Sequence, residues 1–139
     1  MLNKFINKFT SKKENNQNCT SNKKDYVILG ASAAGINAAK TLRDLDSDSN
    51  ITVISKDEKV YSRCMLHHVI SNHRTVEEIN FVEDNFMENN NIYWIKNKSV
   101  KSIDTNNKKV VIEGQELDYD KLLIATGASA FIPPIRNIK

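Results

Sequence analysis

Apolar and polar positions follow two rhythms along this chain. Residues 27–29, Val-Ile-Leu, form a continuous apolar run that stops at Gly30. Such a run is what a parallel strand covered on both faces requires. From residue 34 to 45 the rhythm changes. Ala34, Ala38, Leu42 and Leu45 recur at helical spacing, and Asp44, Asp46, Ser47 and Asp48 end the pattern. Residues 51–54, Ile-Thr-Val-Ile, then read as a second strand. The three pieces together predict a β-α-β unit of about 30 residues.

The rest of the chain reads in shorter pieces. Thr75 caps a short helix with Glu78 three residues on, in the capping-box spacing. Residues 82–89 give another helical piece, broken by Asn89-Asn90-Asn91. Ile92–Ile95 reads as a strand. Val100–Asp104 and Lys109–Ile112 flank Thr105-Asn106-Asn107, a hairpin signal. Residues 117–119 are a further extended piece, and 122–125 a strand. Pro133 and Pro134 then stop regular structure.

The first strand-to-helix turn carries candidate chemistry. Gly30 lets the backbone turn tightly. Gly35 lets the new helix pack close to the strand, and Ala39 keeps the same helix face small. The amides of the turn, from Gly30 through Ser32, Ala33 and Ala34 to Gly35, lie where a dinucleotide pyrophosphate meets a helix N-terminus. The middle glycine of the usual G-x-G-x-x-G spacing is Ser32 here. Its side chain narrows the approach of the backbone, while its hydroxyl can donate to a phosphate oxygen. The alternative is a Gly/Ala-rich turn without a ligand. After the second strand, Asp57 or Glu58, and more weakly Ser55, can reach ribose hydroxyls. A solvated charged loop is the alternative there.

Three stretches, in this order, resemble the amino-terminal part of the pyridine nucleotide-disulfide oxidoreductases, a flavoprotein family with two dinucleotide-binding units. They are residues 27–39, Tyr61-Ser62-Arg63-Cys64-Met65-Leu66, and residues 121–134 with Ala125-Thr126-Gly127 inside them. Within the family the chain looks most like the rubredoxin reductase, ferredoxin reductase and nitrite reductase flavin-domain branch. The likeness covers residue 25 to the end. It implies an α/β, Rossmann-like FAD-binding domain, incomplete here, with a parallel sheet, helices and a small antiparallel meander. It implies FAD at the first turn. It places Arg63 against the FAD pyrophosphate or flavin edge, which suits a planar guanidinium. It brings Ala125, Thr126 and Gly127 close to the cofactor, with Gly127 permitting backbone approach.

A related branch, which includes CoA-disulfide reductase and NADH peroxidase, carries a redox cysteine near the position of Cys64. A thiolate there attacks a disulfide or peroxide. That branch has Asn or Ser before the cysteine and Gly after it, whereas Arg63 and Met65 stand here. Cys64 therefore reads either as a flavin-facing redox thiol or as a small packing residue. Cys19 sits in a polar stretch, and two cysteines make no disulfide framework. His67, His68 and His73 cluster near Cys64 without a second ligand pair, so no metal site is expected.

Charge is unevenly spread. The chain has 139 residues and net charge +3. Residues 1–24 hold six lysines and one glutamate, so the remainder is slightly acidic. Nucleic-acid binding is therefore not expected. Leu2, Phe5, Ile6 and Phe9 have near-helical spacing, but the Asn/Lys-rich composition favours a disordered basic extension over a membrane contact. Lys8 interrupts any secretion-signal core. No run approaches the ~20 apolar residues that span a bilayer. A cytoplasmic location is expected.

Two segments result: a tail over 1–24, and over 25–139 the first part of an FAD/NAD(P)-binding domain. The parent enzyme implied by the likeness uses FAD and NAD(P)H and passes electrons to a small redox protein or another acceptor. The NAD(P)H unit would come from a downstream segment or a separate chain, and the segment alone is expected to be inactive. A nucleotide- or partner-binding module without turnover is the alternative from a different class.

Overall fold

A computed structural model describes residues 23–129, 131 and 133–135. The basic extension read over 1–24 lies outside them, except for Lys23 and Lys24. The elements are β1 (Asp25–Leu29), α1 (Ala33–Leu45), β2 (Asn50–Ile54), a 3-10 turn (Arg63–Met65), α2 (Leu66–Ile70) and a second 3-10 turn (Glu77–Ile79). Then follow α3 (Phe86–Asn89), β3 (Ile92–Ile95), β4 (Val100–Asp104), β5 (Lys109–Ile112), β6 (Gln115–Asp118) and β7 (Lys121–Ile124). β3, β2, β1 and β7 form a parallel sheet in that order, and β4, β5 and β6 form an antiparallel sheet. This is the α/β arrangement with an antiparallel meander that the residue pattern and the family likeness predict.

The apolar run of β1 and the mostly apolar β2, with Thr52 buried inside it, are explained by what covers them. Ile28, Ile51, Val53 and Ile92 face α1, where they meet Ile36 and Ala39. Val27, Leu29, Ile54 and Ile95 face the meander, where Val110, Ile112 and Leu117 close over them. Both faces of the central strands are dry. Each fully buried aliphatic side chain then contributes about 1.5–3 kcal/mol.

Three elements differ from the residue pattern. The buried face of α1 is Gly35, Ile36 and Ala39, with Ala38 and Leu42 half-buried, while Ala34 and Leu45 are exposed. The small pair at 35 and 39 draws the helix onto β1 along that line. Residues 82–85 are not helical; only Phe86–Asn89 is. Asn80 Oδ1 accepts the Val82 amide at 3.1 Å, and this Asx turn pulls Val82 onto the core instead of into a helix. β6 starts at Gln115, earlier than residue 117, because Glu113-Gly114 makes a two-residue hairpin with Gly114 at φ +83°. The Thr75–Glu78 box is present in both directions. The Thr75 amide donates to Glu78 Oε2 at 2.7 Å, and the Glu78 amide donates to Thr75 Oγ1 at 3.3 Å.

Arg43, in the last turn of α1, fastens the far end of the unit. Its guanidinium donates to the carbonyls of Asp46 (3.3 Å), Ser47 (2.7 Å), Ser49 (3.0 Å), Asn90 (2.8 Å) and Asn91 (2.9 Å). It thus ties the α1–β2 loop to the turn entering β3. A cation there also suits the carbonyl end of the helix.

Candidate functional site

β1, β2 and β7 are parallel, so their C-terminal ends share one edge of the sheet. The chain leaves β1 toward β2 on one side and later returns to β7 on the other. A reversal of this kind opens a crevice at the strand ends, the place where open α/β sheets bind ligands. Gly30 and residues 125–127 flank it. Its walls are fixed to the sheet: the Gly30 amide donates to Ile54 O at 2.7 Å and the Ala125 amide to Leu29 O at 2.8 Å.

The turn after β1 tolerates no side chain at either glycine. Gly30 has φ +108°, and a Cβ there would lie 2.4 Å from Ala125 O. A Cβ on Gly35 would lie 1.9 Å from Gly30 O. The helix therefore begins pressed against the strand it follows, as expected of Gly35.

Ser32 is the N-cap of α1, in extended backbone, and its side chain makes no capping hydrogen bond. The first helical bond runs from the Ile36 amide to Ser32 O at 2.9 Å. The amides of Ala33, Ala34 and Gly35 come before it and are the orphan donors of the helix. The first turn holds no acidic residue, and Ala33 and Ala34 are exposed. Open donors, a positive dipole end and an uncommitted hydroxyl at one surface suit an anion.

The end of β2 is wired differently. Ser55 is 5% exposed. Its hydroxyl donates to Asp57 O at 2.8 Å and accepts the Trp94 indole N–H at 2.9 Å. Its one hydrogen is thus spent inside the protein rather than offered to a ribose. Asp57 Oδ2 accepts from Arg63 Nη2 at 2.7 Å, and Arg63 lies over the Tyr61 ring, 5.3 Å from its centroid. Glu58 is exposed. Beside it, Lys59 pairs with Glu77. That hydrogen bond raises the Lys59 pKa and lowers the Glu77 pKa from their ordinary values, and the Glu58 charge adds to the rise at Lys59.

Cys64 is exposed and free, so a buried packing role is corrected. It sits in a 3-10 turn at the surface, with His67 Nδ1 3.0 Å from its carbonyl. The neighbouring guanidinium of Arg63 is engaged with Asp57. His67 and His68 stack at 4.1 Å between centroids, and Ser71 Oγ lies 2.8 Å from His73 Nδ1. Among the described residues no three His, Cys, Asp or Glu side chains are grouped to hold a metal ion.

On the far wall, Thr126 and Gly127 are exposed. Gly127 has φ +67° with open space around it. The close backbone approach within the described chain is that of Ala125 to Gly30. Two grooves, of about 250 and 520 Å³, lie beside β3. The smaller is bounded by Val60, Val82, Phe86 and Trp94, and the larger by Asn50, Thr52, Met87 and Asn91. Neither is lined by the glycine turn, which stands at open surface.

The model of the family described as pyridine nucleotide-disulphide oxidoreductase matches residues 24–139. The chain belongs to that family. Among its members are NADH-dependent oxidoreductases. The chain is 34% identical over 115 residues to the epsilon subunit of NADH-dependent phenylglyoxylate dehydrogenase of Aromatoleum evansii, covering 81% of this chain and 27% of that one. It is 38% identical over 114 residues to the nitric oxide reductase FlRd-NAD(+) reductase of Pectobacterium atrosepticum, covering 81% and 30%. The crystal structure of NADH:rubredoxin oxidoreductase from Clostridium acetobutylicum superposes with a TM-score of 0.70 at 34% identity, over 81% of this chain and 30% of that one. The chain therefore spans less than a third of the length of these relatives. No helix among the described residues is long and apolar enough to cross a membrane.

Two residues that fasten the unit, one beside the site and one at the far end of α1, carry no sequence motif. Trp94, on β3, reaches the end of β2 through Ser55; a single tryptophan in a short strand was the available signal. Arg43 looked like one more charged helix residue. Its position two residues before the helix end was the clue to its role.

Proposed function

We propose that this chain is the first FAD-binding segment of an NAD(P)H-dependent flavoprotein oxidoreductase. The observation that carries the reading is the open N-terminus of α1 at the crevice between β1 and β7. It presents unpaired amides and a free Ser32 hydroxyl, with no acid in the first helical turn. In this reading Gly30, Ser32, Ala33, Ala34 and Gly35 hold the FAD pyrophosphate. Of the acids after β2, Glu58 is the one left to serve the adenosine ribose, since Ser55 is spent on Asp57 O and Trp94 and the Asp57 carboxylate on Arg63. Arg63 contacts the flavin side, and Ala125, Thr126 and Gly127 run beside the cofactor. Bound FAD supplies two-electron acceptance from a nicotinamide.

NAD(P)H would bind a further unit, on a downstream segment or a separate chain, and a small redox protein is the proposed acceptor. The relatives named for rubredoxin and for nitric oxide reductase FlRd support the acceptor class. The 139-residue chain with FAD should then bind flavin without reducing dyes from NADH. The test is a flavin titration of the purified chain beside Arg63→Ala. Saturable binding weakened by the substitution supports the reading. Flavin binding with NADH-dependent dye reduction would contradict the inactivity, and no binding would overturn the flavin site itself.

A further inference from the structure

We infer that Asp57 is a positioning residue for Arg63 rather than a ligand of the nucleotide ribose. The inference rests on the FAD reading above and deepens it.

Five residues form one chain of contacts at the end of β2. The Trp94 indole N–H donates to Ser55 Oγ at 2.9 Å. Ser55 Oγ donates to the Asp57 carbonyl at 2.8 Å. The Asp57 carboxylate accepts from Arg63 Nη2 at 2.7 Å. The Arg63 guanidinium in turn lies over Tyr61, whose hydroxyl is 3.4 Å from Asp57 Oδ1. The buried end of this chain is rigid: Ser55 is 5% exposed, and its amide and carbonyl are bonded to Ile95 O and to the Lys98 amide. Asp57 is thus held by its backbone from the inside. Its carboxylate is turned toward an arginine that is otherwise exposed.

The chemistry follows from the inventory of donors. Arg63 spends one N–H group on Asp57 and keeps the other faces of its fork. A guanidinium fixed along one edge and free along another is preorganised for a phosphate oxygen. A free arginine side chain would lose that rotamer freedom on binding. Asp57 has already restricted it. A carboxylate so engaged is a poor ribose acceptor, since accepting from a sugar hydroxyl means competing with its own cation.

Charge and position make opposite predictions, which makes the proposal decidable. Removing an acid near a diphosphate strengthens anion binding by Coulomb's law, although salt at 0.15 M screens exposed charges beyond about 8 Å. Removing a positioning acid weakens binding, and only while Arg63 is present. FAD affinity is measured for the full chain, Asp57→Ala, Arg63→Ala and the double variant, at 0.15 M salt. The readout is quenching of Trp94, the single tryptophan. Thermal melts accompany each titration, and Asp57→Glu serves as the rescue.

Expected results are a Kd raised about tenfold by Arg63→Ala, the size of one charge-assisted hydrogen bond. Asp57→Ala raises it about threefold, as suits an exposed ion pair. In the Arg63→Ala background, Asp57→Ala has no weakening effect, and Asp57→Glu restores affinity when Arg63 is present. An equal loss from Asp57→Ala in both backgrounds would mean direct ligand contact and overturn the proposal. Tighter binding in both would mean a charge effect alone and overturn it too. Absence of FAD binding by the unsubstituted chain would overturn the FAD reading and the proposal with it.

Discussion

Two bends follow adjacent parallel strands, and each contains a glycine at positive φ. They need glycine for different reasons. After β1, Gly30 at φ +108° also lies where a Cβ would strike Ala125 O at 2.4 Å, and Gly35 completes the bend under Gly30 O. After β7, Gly127 at φ +67° has nothing within 4 Å of where a Cβ would stand. The first bend is a packed junction in which backbone meets backbone. The second needs only a backbone conformation that side chains resist. One bend therefore belongs to the fold as much as to any ligand. At the other, fold and ligand effects are separable.

Substitution separates the two cases. Gly35→Ala should cost more than about 3 kcal/mol, because a backbone carbonyl 1.9 Å away cannot yield without moving the strand–helix junction. Gly30→Ala should be similarly severe, adding left-handed strain to the clash. Urea denaturation of each variant checks this. A loss below 1 kcal/mol at either, on the order of an ordinary surface change, would break the comparison.

Arg43→Ala asks whether the far end of the same helix is fastened as firmly as the glycine end. Loss of one guanidinium that serves five backbone carbonyls should cost about 2–4 kcal/mol by the same measurement. Lysine in its place should recover little, because a point charge cannot span carbonyls on two separate turns.

Gly127→Ala should cost only about 1 kcal/mol, the conformational penalty without a clash. If residues 125–127 run beside FAD, its effect on flavin affinity should exceed its effect on stability. Equal and small effects on both would assign the bend no ligand role.

The smallest expected effect lies in the meander, remote from both bends. The Asn107 backbone N–H, then its side chain, hold the Asp104 carboxyl below the ordinary aspartate value. A lowered folded-state pKa means that this contribution is present above the unfolded value and is lost as pH falls through the folded one. Asn107→Ala should move the Asp104 titration partway back up, read by NMR, while leaving flavin affinity unchanged.

Much of this was legible in the residues. The β1–α1–β2 unit announced itself because a parallel strand buried on both faces must be continuously apolar, and because only glycine fits a bend closed by backbone. The Thr75–Glu78 box was legible because both partners lie three residues apart. What periodicity could not give was decided by particular hydrogen bonds, some local and one distant. Residues 82–89 read as a helical piece, with Val82 and Phe86 four apart, yet an Asx turn at Asn80 diverts Val82 into the core. Ser55 and Asp57 both have the chemistry to touch a ribose. Trp94 and Arg63, 39 and 6 residues away from them respectively, determine how those groups are spent.

The central claim is that the open amides of α1 receive the FAD pyrophosphate, and Ala34→Glu tests it most directly. Ala34 is exposed, and an acid in a first helical turn favours the helix dipole, so the fold should be unharmed. The same charge placed among the orphan amides repels a diphosphate. FAD titration of the two chains, each with its thermal melt, should show at least about a tenfold loss of affinity with an unchanged or raised Tm. Equal affinities in two equally stable proteins would contradict the account.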